Sequence, residues 1–132
     1  MKALNILVAT SFLLCASSSY AADAPNLDKC LEDAGGVTVA MNNCYGESLS
    51  YWDALLNSNY KLAMKGCSES EDPAACKKAL KTSERNWIKY KDSTVELIGI
   101  RIDGEFSGVV ANAFLVKATQ RQAEDLAVYK PY

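Results

Sequence analysis

Histidine is absent from this chain of 132 residues. That removes the residue on which conventional nucleophile–base triads and the commonest metal sites depend. A basic footprint is missing as well. Fourteen lysines and arginines face sixteen aspartates and glutamates, so the chain lacks the cationic surface that a nucleic-acid backbone requires. Nor is there a long apolar run. Ile6 to Leu14 is mostly apolar but far short of the roughly 20 residues that span a bilayer, and Ser17-Ser18-Ser19 follows it closely. Cys-x-x-Cys spacing is absent, which argues against a zinc site. Without repeats, linkers or low-complexity tracts, the chain reads as one continuous domain.

What the N-terminus does contain reads as an export signal. Lys2 supplies the positive charge, the apolar stretch follows, and Ser19-Tyr20-Ala21 places small residues where a signal peptidase reads. Leu14 before Cys15 argues against a lipid-anchored cysteine. Residues 1–21 are therefore expected to be removed, leaving a single domain at 22–132 that is periplasmic or secreted and has no stable membrane anchor. Loss of Lys2 leaves thirteen basic against sixteen acidic residues, a net charge of −3 over 111 residues. That length suffices for one modest core. Cys15 leaves with the signal. The four remaining cysteines, Cys30, Cys44, Cys67 and Cys76, are an even set, which in an exported chain reads as disulfides. Three pairings exist. The short loops favour Cys30–Cys44 with Cys67–Cys76, each closure worth about 2.5–3 kcal/mol in the chain-entropy treatment.

The apolar periodicity is that of helices. Asn26 to Ala34 is a short one, ended by Gly35-Gly36 as a glycine cap would end it. Thr38 is placed to cap a long helix running to about Lys65, with Gly66 as its stop. Its inner stripe passes through Met41, Tyr45, Leu49, Trp52, Leu56, Tyr60 and Ala63, in steps of three and four. Asp72 and Pro73 mark the next start, an N-cap followed by a first-turn proline whose missing N–H is not needed there. That helix runs its stripe through Cys76, Leu80, Ser83, Trp87, Tyr90, Thr94 and Leu97. A Cys67–Cys76 bridge would pin the end of one helix to the first turn of the next, as in an antiparallel helical hairpin. Over 99–108, the alternation around Asp103-Gly104 predicts a short β-hairpin or an ordered loop. A last helix follows from about Val109 to Ala127, facing inward through Ala111, Leu115, Ala118, Gln122, Leu126 and Tyr129 and limited by Pro131. The fold class is all-α: a small bundle of three main helices plus a short N-terminal one.

Two stretches carry a resemblance. "DALLNSNYKL" at 53–62 is similar to the D-x-x-L-N-x-x-Y signature of the LprI-type lysozyme-inhibitor domain, through Asp53, Leu56, Asn57 and Tyr60. "LKTSERNWIKYKD" at 80–92 resembles the family's second signature, L-K-x-A-Q-R-x-W-I-x-Y-R-D. Leu80, Lys81, Arg85, Trp87, Ile88, Tyr90 and Asp92 match it, while Ser83, Glu84 and Lys91 replace alanine, glutamine and arginine. "TVAMNNC" at 38–44 resembles the family's stretch before its second cysteine, and the likeness extends from residue 30 to about 126. Three departures stand out. Val95 and Phe114 occupy the places of two further family cysteines, as if one whole bridge had been lost. Gln122 falls where a T-x-x-R-x-x-x-L pattern, kept at Thr119 and Leu126, expects arginine. Cys67 and Cys76 look like additions specific to this chain.

On a helix, Asp53, Leu56, Asn57 and Tyr60 share one stripe. The expectation is structural: Trp87 and Tyr60 fill the seam between the two long helices, and Asp53 and Asn57 meet Arg85 or Lys89 across it. Catalysis is not expected. Oxidised cysteines offer no thiolate, and a bundle of this size leaves little room for a substrate cleft. The resemblance implies an exported, non-catalytic protein that inhibits lysozyme-type muramidases and so protects peptidoglycan, without metal or cofactor. Its partner would be a protein, and a cationic lysozyme suits an acidic chain. An immunity or accessory protein for an exported toxin or another envelope component is the alternative. Candidate docking residues are Glu69, Glu71 and Asp72 in the loop between Cys67 and Cys76, together with Phe106.

Overall fold

Asn26 starts the first helix of the computed structural model, which describes residues 23–131; the export signal expected at 1–21 lies outside the described residues. Four α-helices follow in order: α1 Leu27–Ala34, α2 Thr38–Cys67, α3 Pro73–Arg101 and α4 Phe106–Leu126, with a terminal 3-10 turn at Ala127–Tyr129. The Asn26 side chain accepts from the Lys29 amide at 3.1 Å, satisfying an amide that the helix itself cannot. Gly35 closes α1 in the left-handed region at φ 56, where only glycine sits without strain.

The α1–α2 bend is held differently from expectation. Val37, not Thr38, occupies the cap of α2, and no side chain caps it. Backbone bonds do that work instead: the Val37 amide donates to Ala34 at 3.0 Å, and its carbonyl accepts from Met41 at 2.9 Å. A Cys30–Cys44 disulfide, with Cα atoms 5.7 Å apart, ties α1 to the second turn of α2. At its far end α2 runs through Gly66 to Cys67 rather than stopping. Gly66 has a packing reason to be glycine, since a Cβ there would collide with the carbonyl oxygen of Tyr129 in the C-terminal segment. Asp72 caps α3 as its sequence position predicts, accepting from the Ala75 amide at 2.9 Å, and Cys67–Cys76 clips the two helices at their shared bend with Cα atoms 5.4 Å apart.

Of the region 99–108 only residues 102–105 form a loop, the rest belonging to the end of α3 and the start of α4, and no strand occurs among the described residues. Helical bonding persists to the amide of Ile102, which donates to Ile98 at 2.9 Å. Gly104 at φ 78 then turns the chain, and α4 begins at Phe106, earlier than its periodicity suggests. A two-stranded ribbon would have had no sheet to join.

The core lies between α2 and α4, which make the most extensive helix–helix packing in the molecule. Leu56, Ala63, Ala123 and Leu126 form its buried cluster, with Trp52, Leu55, Tyr60, Leu80 and Trp87 packed around it. Ala63 and Ala123 are both fully buried, and such small side chains allow close approach of the two backbones. Burying a leucine such as Leu56 or Leu126 contributes about 2 kcal/mol. The inward face of α4 is Val109, Val116, Thr119, Ala123 and Leu126, partly offset from the stripe read from apolar spacing. On α3 the discrepancy is larger. Ser83, Tyr90 and Leu97 of the expected inner stripe are exposed, and Glu84 is the one buried residue of that helix. The third helix leans on α4 and touches α2 only lightly.

Candidate functional site

Because α3 returns alongside α2 without closing on it, an open groove of about 910 Å³ runs between them. Contrary to the expectation of little room, this is within the size range of small-ligand sites. Its walls are the two signature stretches. Asp53, Leu56, Asn57 and Tyr60 line the α2 side; Lys81, Arg85, Trp87 and Ile88 line the α3 side. Leu115 and Thr119 of α4 also line it. Tyr60 and Trp87 do pack against the core cluster, each half-buried.

The polar bridge expected across the seam does not form. Asn57 Nδ2 donates within its own helix, to the Asp53 carbonyl at 2.8 Å and to Asp53 Oδ2 at 3.2 Å. Neither Arg85 nor Lys89 makes an ion pair among the described residues; the pairs that do form are Lys29–Asp33, Lys91–Asp92 and Arg121–Asp125. Asp53, Asn57, Arg85 and Lys89 all remain exposed, so water serves them without a partner across the seam. Asp92 lies outside the groove, its carboxylate 3.2 Å from Lys91 Nζ. The Lys91 ammonium in turn sits 5.6 Å from the Trp87 ring centroid, a cation–π geometry. Tyr90 is on the other flank of α3, exposed, its ring edge-on to Phe114 with centroids 6.0 Å apart. That aromatic contact joins α3 to α4 at Phe114.

At the base of the groove, Glu84 is 9% exposed and its carboxylate accepts a hydrogen bond from Gln122 Nε2 of α4. Loss of water raises the Glu84 pKa above its ordinary 4.5, and the bond from Gln122 works against that rise. The two sequence departures at 84 and 122 are therefore one contact: glutamate and glutamine stand where the pattern has glutamine and arginine. Sequence reading missed the other buried polar groups. Ser48, Asn59 and Thr119 are almost fully enclosed; Asn59 Nδ2 donates to the Ala123 carbonyl at 2.7 Å, and Asn112 Nδ2 donates to Asn42 Oδ1 at 3.0 Å. Their signal was available, because Cys44, Ser48, Leu56, Asn59, Ala63 and Cys67 keep helical spacing once small and polar residues are counted.

The other docking candidates are at the two ends of α3. Glu69, Glu71 and Asp72 lie in an exposed loop, and Ser70 Oγ donates to the Cys67 carbonyl at 2.7 Å. The Asp72 carboxylate is engaged as the α3 cap, which leaves Glu69 and Glu71 as the loop's outward charges. Phe106 is 58% exposed at the first turn of α4, so the structure brings it together with neither the loop nor the groove. Among the described residues no group of three His, Cys, Asp or Glu side chains could hold a metal ion, and no helix is long and apolar enough to cross a membrane.

Comparison with known proteins places this architecture. An uncharacterized protein of Rhizobium meliloti (strain 1021) is 26% identical over 127 residues, covering 89% of this chain and 89% of that protein. No solved structure matches the chain. The family described as lysozyme inhibitor LprI matches residues 30–126. With the α2–α4 core and both walls of the groove inside that span, the chain belongs to the lysozyme inhibitor LprI family.

Proposed function

We propose that this protein is an exported, non-catalytic binding protein that inhibits lysozyme-type muramidases and thereby protects peptidoglycan. The observation that carries the reading is the family match over residues 30–126. Charge supports it: the chain is net acidic, and complementarity to a basic enzyme mainly accelerates encounter. The docking surface proposed is the clipped loop between α2 and α3, with Glu69 and Glu71 as its charges. Both of its ends are fixed, by the Cys67–Cys76 disulfide and by the Asp72 cap, so little conformational entropy is lost when a partner meets it.

A turbidity assay tests this directly. Purified mature protein should slow lysis of bacterial cell walls by a cationic muramidase. The double reversal Glu69→Lys/Glu71→Lys should weaken that inhibition about tenfold at low ionic strength and less in high salt, because screening shortens the reach of surface charge. Undiminished lysis in excess wild-type protein would sink the inhibitor reading. Full inhibition by the doubly reversed variant would remove only the loop.

A further inference from the structure

We infer that the groove between α2 and α3 is a binding site for a single-chain anionic amphiphile, an acyl chain carrying a carboxylate or phosphate head. This inference rests on the groove alone and not on the inhibitor reading. Leu49, Leu56, Leu115 and Ile88 place an aliphatic strip among the polar side chains that line the groove, and Ile88 is 45% exposed within it. At about 910 Å³ the space accommodates a molecule of that size.

The α3 wall supplies the charge. Lys81 and Arg85 stand one turn apart on it, an i, i+4 pair of like sign that repels rather than stabilises. Two carboxylates line the same groove, yet neither neutralises them. Asp53 is bonded by Asn57 of its own helix, and Glu84 by Gln122 of α4. In a chain with more acids than bases, these two cations have no ion-pair partner among the described residues. A bound anionic head would relieve their repulsion and make charge-assisted hydrogen bonds to both, while its chain covers the aliphatic strip. A saccharide fits less well, because the Lys91 ammonium already lies over the Trp87 ring and occupies the flat surface on which a sugar would stack.

The test is an amide-resolved NMR titration of the mature protein with laurate, dodecyl phosphate and uncharged dodecyl maltoside, each below its micelle-forming concentration. Either anion should bind saturably, one per chain, perturbing Lys81, Arg85, Ile88 and the Trp87 indole N–H. Which anion binds tighter tells carboxylate from phosphate as the head group. Dodecyl maltoside should bind about tenfold more weakly or worse, and Lys81→Ala/Arg85→Ala should weaken the anions by about the same factor. Ile100→Ser, on the exposed far flank of α3, should change nothing. Equal affinity for the uncharged amphiphile, non-saturable binding, or perturbation centred on Leu97, Ile100 and Phe106 would each overturn the proposal. The two substituted cations are exposed; were the double variant nonetheless unfolded by circular dichroism, the head-group comparison in the wild-type protein would still decide.

Discussion

Glu84 is an acid that folding takes out of water without giving it a cation, since the group it meets is the Gln122 amide. Desolvation holds the carboxyl above its ordinary 4.5. From that value up through the raised one, the folded state keeps a proton that the unfolded chain has already released. Stability is therefore greatest on the acid side of this window and falls as pH rises through it. Glu84→Gln keeps an acceptor for Gln122 and removes the charge. We expect the variant to melt above the wild type at about pH 8, with the difference shrinking towards zero at about pH 4. Thermal melts at the two pH values check this, and a pH-independent difference would show that burial of charge is not the cause. Only part of this contact could be read from residues. The resemblance marks 84 and 122 as departures from the signature, but that they depart together requires α3 to rest on α4, which no local pattern states.

At the scale of elements, the starts and stops with side-chain chemistry were legible. Asp72-Pro73 opens α3 and Gly35 closes α1 because each solves a local hydrogen-bonding or backbone problem. What local chemistry leaves undetermined is which face turns inward. Apolar spacing put Tyr90 and Leu97 of α3 inside, whereas both are more than half exposed; the helix has one partner along most of its length and hides only a narrow edge. The 99–108 segment misled for a related reason, since alternation in Ile100 and Ile102 is compatible with the end of a lightly packed helix. The Cys67–Cys76 pairing followed from loop length and matters most where packing is thin. With α2 and α3 touching lightly, the nine-residue separation closed by sulfur does much of the work of holding the bend. Cys67→Ser/Cys76→Ser should lower the unfolding free energy by about 2–3 kcal/mol, measured by urea denaturation. Intact mass of the mature wild type should show no free thiol. A bridge from Cys67 to Cys30 or Cys44 in peptide maps would refute the hairpin.

Seen whole, the molecule is a two-helix core with a third helix propped beside it, and the prop is tied to α2 at one end by the Cys67–Cys76 disulfide. After α4 ends at Leu126, 2% exposed, the 3-10 turn carries Tyr129, Lys130 and Pro131 across α2 at Gly66. The same residues border a second hollow of about 560 Å³ with Cys67, Cys76 and Leu80 at the clipped bend. Tail and bend thus form one unit around that hollow, with the 3-10 turn resting on α2 and α4. Gly66 is the point on which the unit closes, because any side chain there meets backbone that cannot rotate away as a flexible side chain would. Gly66→Ala relieves some backbone entropy in a helix interior, a gain of roughly 0.5–1 kcal/mol, but forcing the tail off should cost about 1–3 kcal/mol. The net should be a destabilised protein whose tail amides at 127–130 exchange with solvent much faster, while amides around Asn59 and Ala123 in the α2–α4 core keep their protection. Hydrogen exchange of wild type and variant at matched temperature reads both regions at once. Uniform loss of protection would mean that the tail is part of the core rather than a fastener on it. An unchanged tail would mean that the close approach at Gly66 does not govern its docking.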